Sequence, residues 1–375
     1  MKFIILNTDY PSFMESIYRD HPTWSADVYE NQAKFYFSKL FGVANFYSKN
    51  LQALGHEAND FVINNPYLQK KWLKEHNLSY SKLLEYLDKN RILRTLKRKI
   101  YLPSDWYYKA MLAQIEKYQP DIVYIQLMAH ISPVFLKKIK KHCKLLVGQI
   151  ACPMPSLSNF KEYDLILSSL PNYVEKFRQA GIKSEYFKLG FETDVLNHLE
   201  RKANFPSVVH IGGYGHVHQE RNILLEEVSK TVPIDFWGYG LSNLSPESVI
   251  RKNFHGSAWG LDMFNILYNS KITTTKHIDA VAGEYANNMT LYEATGVGTL
   301  LIADEKKNLA EIFKIGEEII TYKDAEDLAK KIKYYLKHEE ERKKIALAGQ
   351  QRTLEQHSYK VRMEELIIIV DRYLY

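Results

Sequence analysis

The sequence predicts an α/β protein with two parallel-sheet domains, and three observations carry that prediction. Short apolar runs of β type alternate with helical patterns along all 375 residues, the order expected of parallel sheets with helical crossovers. The runs of the first half are almost wholly apolar, as strands covered on both faces must be. At roughly 150 residues per domain, a chain of 375 accommodates two. A content of 46% hydrophobic and 25% charged residues is that of an ordinary globular protein and excludes the disordered and collagenous classes.

The elements follow in order. Residues 2–6 read as a first strand that ends in Asn7-Thr8-Asp9. A stretch rich in Lys, Tyr and Leu, about 60–118, reads as helical throughout and is too long for one crossover, so it is expected to be an inserted helical subdomain. Strands are predicted at 122–126, 145–150 and 165–168, each ending in polar or small residues. Ligands of open parallel sheets bind at those carboxyl ends. After Asn204-Phe205-Pro206 a second series begins, with strands at 207–211, 234–237, 272–275, 299–303 and 318–321. Helices are predicted between and after them at 261–268, 288–295, 324–336 and 339–351. Leu366, Ile369, Val370 and Tyr373 recur at i, i+3, i+4 and i+7, which makes 358–373 an amphipathic helix covering a core. Two Rossmann-like domains in tandem result: 1–195, carrying the insert, and 196–357, with 358–375 packing back on the first.

Several classes are excluded. Only Cys143 and Cys152 occur, with no zinc-type spacing, so a reducing compartment and free thiols are expected. The apolar start at 3–6 is too short for a signal peptide, and no run is long enough to span a bilayer. A cytoplasmic location is the expectation. The net charge of +6 is mild, and no recognition motif for nucleic acid accompanies it.

Two segments carry candidate chemistry. Residues 276–304 (KHIDAVAGEYANNMTLYEATGVGTLLIAD) read as a loop, a helix opening near Asn287-Asn288, a glycine pair at Gly296 and Gly298, and a buried strand. A helix start suits a diphosphate, and Glu293, on that helix, suits the vicinal hydroxyls of a sugar. The same residues equally fit a plain helix with a glycine cap. The loop His210-Ile211-Gly212-Gly213-Tyr214-Gly215-His216-Val217-His218 follows a strand, and Arg221 just beyond it suits a leaving diphosphate. Its glycines lack the dinucleotide spacing. His216 and His218 have no third ligand at convincing spacing, and Asp-x-Asp occurs nowhere, so no metal site and no cofactor are expected. In the first domain, Asp9 and His130 stand at strand ends and are the titratable candidates for catalysis, against the readings of a turn residue and a solvated loop histidine.

The segments NNMTLYEATGVGTLLIAD, NLAEIFKIGEEIITY and HEEERKKIALAGQQRTLEQHSYKVRMEEL resemble the C-terminal domain of bacterial glycosyltransferases of the GT-B fold, the group that includes CgeB-like proteins. NTDYP (7–11), LFGVANFYSKNLQALGHEA (40–58) and LVGQIACPMP (146–155) resemble their N-terminal half, so the likeness covers most of the chain except the insert. The resemblance implies two Rossmann-like domains facing a central cleft, with a nucleotide-sugar donor on the second. The acceptor, a surface glycan, a protein, a metabolite or a lipid-linked sugar, would lie over the first. It implies retention of configuration. It implies that Glu293 holds the ribose and that Asn287, Asn288, Thr295 and Gly296 line the diphosphate and sugar, with Tyr292 beside them. Thr290 stands where many relatives carry Arg, so Lys276, His277 or Arg221 must supply positive charge. A nucleotide-sugar epimerase and a non-catalytic sugar- or nucleotide-binding protein are the alternatives.

Lys89, Arg91, Arg94, Lys97, Arg98 and Lys99 interleave with Ile92, Leu93, Leu96 and Ile100. The cluster reads either as a solvated basic face or as an interfacial helix held to anionic lipid at the inner face of a membrane.

Overall fold

The computed structural model describes residues 1–374 apart from 99, 127, 129, 130, 155 and 279–282. The chain divides into two compact units, Met1–Phe187 with Met363–Tyr375, and Lys188–Arg362. The division falls at 187/188 rather than 195/196, because Phe191 belongs to the second unit. It pairs with Ser358 and sets its ring edge-on to Phe264 at 6.0 Å.

Unit 1 holds a six-stranded sheet of order β2-β1-β3-β4-β5-β6, every pair parallel. Its strands are β1 (Lys2–Asn7), β2 (Glu57–Val62), β3 (Ile122–Ile125), β4 (Leu145–Gln149), β5 (Leu165–Ser168) and β6 (Ser184–Tyr186). β1, β3, β4 and β5 lie inside the sheet and are apolar and buried almost throughout. β2 and β6 are edges, where one side of the ladder is free and composition is less constrained. Edge position is why both escape prediction. Glu57-Ala58-Asn59-Asp60 is not apolar, yet it pairs in a register that runs from Lys2↔Glu57 to Asn7↔Val62.

Helices α1 (Pro11–Asp20), α2 (Tyr29–Phe37) and α3 (Phe46–Ala53) lie between β1 and β2. The stretch expected to be helical from about 60 therefore starts only at α4 (Pro66–Glu75), where Asn65 accepts hydrogen bonds from the amides of Tyr67 and Leu68. It continues with α5 (Lys82–Tyr86), α6 (Arg91–Arg98) and α7 (Trp106–Tyr118). The last of these packs against α4 and feeds β3 through Gln119, whose φ of 45° ends the helix. It is an ordinary crossover, so the true insertion is α5 and α6. Trp106, Tyr107 and Tyr108 are buried in it as packing residues. α8 (Pro133–Ile139) and α9 (Pro171–Gln179) complete the connections.

Unit 2 holds a five-stranded parallel sheet of order β11-β10-β9-β7-β8. The strands are β7 (Val208–Gly213), β8 (Asp235–Tyr239), β9 (Ile272–Thr275), β10 (Leu300–Asp304) and β11 (Ile320–Tyr322). The helices are α10 (Gln219–Ser229), α11 (Val249–Lys252), α12 (Leu261–Asn269), α13 (Thr290–Gly296), α14 (Leu309–Ile312), α15 (Ala325–Lys337), α16 (Glu339–Gln356) and α17 (Tyr359–Leu374). Val208, Ile272, Leu300, Ile302 and Ile320 from the sheet meet Leu225, Leu328, Ile332 and Ile345 from the helices in one core. Helix α17 begins in unit 2, where the buried Arg362 donates to the carbonyls of Leu189 and Gln356. It ends in unit 1, where Tyr373 Oη donates to Glu185 at 2.8 Å. No helix among the described residues is long and apolar enough to cross a membrane.

Candidate functional site

The carboxyl ends of β7, β9 and β10 bring together a polar cluster. Arg221, in the first turns of α10, is buried and donates to the carbonyl of Gly213. A Cβ on Gly212 would stand 3.2 Å from its Nη2 and 3.4 Å from His210 Nε2, and one on Gly213 would stand 2.9 Å from His218 Nε2. The protein's own side chains thus crowd both glycines at the strand end, and a larger residue there would displace them. His210 Nδ1 meets the carbonyl of Thr274 at 3.0 Å. Burial first, then the Arg221 charge, pushes the His210 imidazole well below its ordinary pKa and that of His218 to about 4. Both are neutral at physiological pH. Burial likewise lowers the Arg221 pKa.

From β9 and β10, His277 and Asp304 form a pair: Nδ1 lies 2.7 Å from Oδ1, and the His277 amide donates to the same oxygen at 3.0 Å. Burial works to raise the Asp304 pKa, but His277 and then Lys306, 3.6 Å away, outweigh it and hold the carboxyl below its ordinary value. Four buried nitrogens of the cluster, His210 Nε2, His218 Nδ1, Arg221 Nε and His277 Nε2, have no hydrogen-bond partner among the described residues. Such orphans are costly in a finished interior and are common where a ligand completes the set. Lys276 reaches Glu220 at 3.2 Å.

Glu293 lies on α13, half-buried, and its carboxyl accepts no hydrogen bond among the described residues. Burial alone raises its pKa to about 7. Asn288 holds the start of that helix, accepting from the amide of Thr290 at 2.9 Å and donating to Thr275 Oγ1 at 2.8 Å. Asn287 beside it is half-buried. Three of the predicted contacts turn the other way. Tyr292 is buried against Phe313 and His357. The Thr295 hydroxyl is committed to the Leu291 carbonyl at 2.6 Å and to Thr353 at 2.7 Å. Gly296 abuts the Phe191 ring, which an added Cβ would approach to 2.5 Å. All three serve packing because the face of α13 that carries them is the buried one.

In unit 1, Asp9 follows β1. Its backbone exchanges hydrogen bonds with the side chain of Asn64, 3.0 and 2.8 Å, which ties the ends of β1 and β2. Tyr36 Oη donates to its carboxylate at 2.7 Å. Burial raises its pKa to about 6, against the opposing pull of that hydrogen bond. His130 lies outside the described residues. Near Asp9, a cavity of about 330 Å³ opens among Met14, Asn64, Tyr67, Lys70, Arg94 and Trp106. A cavity of about 670 Å³ in unit 2 lies along α10 between Gln219 and Ser248, and the predicted donor residues do not line it. Among the described residues no three His, Cys, Asp or Glu side chains are grouped to hold a metal ion.

Sequence reasoning included His210 and Asp304 only as ends of the two candidate segments, without a role, and did not single out Lys306. Asp304 closes a predicted strand, so the carboxyl-end rule marks it, whereas His210 sits within a strand and reads as core.

Two parallel α/β sheets with this order of elements define the GT-B glycosyltransferase fold. Residues 219–368 match the family described as Glycosyl transferase-like. A glycosyltransferase from Rickettsia africae superposes with a TM-score of 0.59 at 15% identity, covering 100% of this chain and 99% of the other. HepE from Anabaena, solved in complex with UDP-glucose, superposes with 0.60 at 12% identity, covering 99% and 100%. Sucrose-phosphate synthase from Thermosynechococcus elongatus gives 0.58 at 12%, covering 99% of each chain. A comparison with curated protein sequences finds no match.

Proposed function

We propose that the protein is a glycosyltransferase that takes a sugar from a nucleoside-diphosphate sugar held by unit 2 and passes it to a hydroxyl of an acceptor held by unit 1. The observation that carries this reading is Glu293, a half-buried carboxyl with no partner among the described residues, on the helix beside the cluster's β9 strand. Ribose hydroxyls donating to it supply the hydrogen bonds it lacks. Arg221 and Lys306 give the positive charge that a leaving diphosphate requires, in place of an arginine at Thr290. With protein cations in that role, transfer needs no metal. We assign retention of configuration, the acceptor proton leaving with the diphosphate. Asp9, ionised at neutral pH, orients the acceptor by accepting a hydrogen bond from a hydroxyl other than the reacting one. The complexes of HepE with UDP and UDP-glucose make uridine the first base to test.

Calorimetric titration with UDP, in the presence of EDTA, tests the assignment. Removing the charged acceptor in Glu293→Ala is expected to weaken binding about 10- to 100-fold, the worth of one or two hydrogen bonds to a charged group. Unchanged affinity for a nucleotide that the wild type binds would refute the role of Glu293.

A further inference from the structure

The insertion in unit 1 wears its apolar side outward. At 100° per residue, Ile92, Leu93 and Leu96 fall within about 100° of arc on α6, and Lys97 stands about 40° beyond the Leu93 edge of that arc. In a helix that covers a core, the apolar arc faces inward. Here Lys97 is the buried residue. Its ammonium group contacts Asp88 at 2.8 Å, Asp105 at 2.9 Å and the carbonyl of Leu84 at 3.0 Å. Asp88 is fixed in turn by Trp106 Nε1 at 2.7 Å, and Asn90 caps the helix by accepting from the amides of Ile92 and Leu93. A polar lock therefore holds α6 to the body and leaves Ile92, Leu93 and Leu96 in solvent. Leu83 and Tyr86 of α5 and Ile100 after α6 join them, all six between 43 and 74% exposed.

The charges around this apolar set are of one sign. Residues 82–100 contain seven Lys or Arg and two acids, Glu85 and Asp88. Both acids are spent inside the protein, Glu85 on Lys70 at 2.7 Å and Asp88 on Lys97. Lys89 and Arg91 are exposed, and the half-buried Arg94 lines the mouth of the 330 Å³ cavity together with Lys89. A second copy of the chain docking symmetrically would set these cations against their own equivalents. A surface that offers both hydrocarbon and negative headgroups satisfies both halves of the pattern.

We propose that α5 and α6 form a membrane-docking element that inserts Leu83, Tyr86, Ile92, Leu93 and Leu96 among the lipids of an anionic bilayer, with Lys89, Arg91 and Arg94 at the headgroups. The proposal stands independently of the donor reading. If both hold, the 330 Å³ cavity, lined by Lys89 and Arg94, opens beside the bilayer, where a lipid-linked acceptor would present its polar head.

Co-sedimentation of the full chain with vesicles tests it. Phosphatidylcholine vesicles containing phosphatidylglycerol are expected to pellet the protein, the more weakly as salt rises, and pure phosphatidylcholine is not. The double variant Ile92→Glu/Leu96→Glu changes only exposed side chains, so its circular dichroism and melting should match the wild type while binding falls at least about tenfold. The same change at Leu347 and Ile368, exposed apolar residues elsewhere, should leave binding intact. No binding, equal binding to neutral vesicles, or indifference to the double substitution overturns the proposal. So does self-association in sedimentation velocity that the double variant abolishes, which would make the face a contact between copies.

Discussion

Glu293 shows in one side chain what a desolvated carboxyl does to the stability of a fold. A glutamate carboxyl has an ordinary pKa of 4.5, and burial moves this one to about 7. Between those values the folded state holds a proton that the unfolded state has lost. The stability it contributes is therefore fully present below about 4.5 and is lost as pH rises through 7. Glu293→Gln removes the titration without changing the shape. The variant should gain on the wild type as pH rises from 5.5 to 8, by about 1 kcal/mol once the roughly 2 kcal/mol of the full shift is discounted for partial exposure. Denaturant unfolding at the two pH values measures this, and a difference independent of pH would show that the carboxyl is solvated. Gaining stability while losing nucleotide affinity is the mark of a residue kept for binding. Its place on a helix before glycines was legible in the sequence as a local pattern, whereas a ribose-holding role was implied only by the resemblance. The orientations of Tyr292, Thr295 and Gly296 were not legible, since they depend on Phe191, Phe313 and Thr353, which are remote in sequence.

At the level of elements, periodicity decided what could be read. α12, α15 and α16 and the inner strands β1, β3, β4 and β5 announce themselves because burial forces their pattern. β2 and β6 do not, because an edge strand has one free side and tolerates Glu57, Asn59 and Asp60. Of the chain's 27 tyrosines, seven mark such buried packing. Tyr47, Tyr107, Tyr108, Tyr124, Tyr214, Tyr322 and Tyr359 are fully buried packing residues. Packing between elements also inverts a propensity rule. Gly349 lies inside α16, where alanine would ordinarily add about 1 kcal/mol. A Cβ there would come within 2.3 Å of the Glu318 carbonyl oxygen. Gly349→Ala should instead destabilise unit 2 by about 1–3 kcal/mol, the usual range for overpacking. A rise in its unfolding midpoint would mean that the segment before β11 yields freely.

At the scale of the molecule, the two units were visible as two series of strands, and the insertion was visible as charge mixed with apolar residues. The manner in which the last helix is shared was only half visible, since its apolar stripe marks a covered face but not whose core covers it. Met363–Tyr375 belongs to unit 1, where Arg372 and Tyr373 reach Glu185 of β6, at 3.7 and 2.8 Å, and Lys183 lies over the Tyr373 ring. A chain ending at Arg362 should keep unit 2 folded and lose amide-exchange protection selectively in β6 and its neighbour β5. Loss confined to unit 2 would contradict the division.

The closing thirteen residues also set an order of events during synthesis. Translation completes everything that unit 2 needs while unit 1 still lacks its final piece. Until those residues emerge, Glu185 of β6 lacks the partners that Arg372 and Tyr373 bring. Unit 1, whose strands are made first, thus receives this piece only after the whole of unit 2 has been translated.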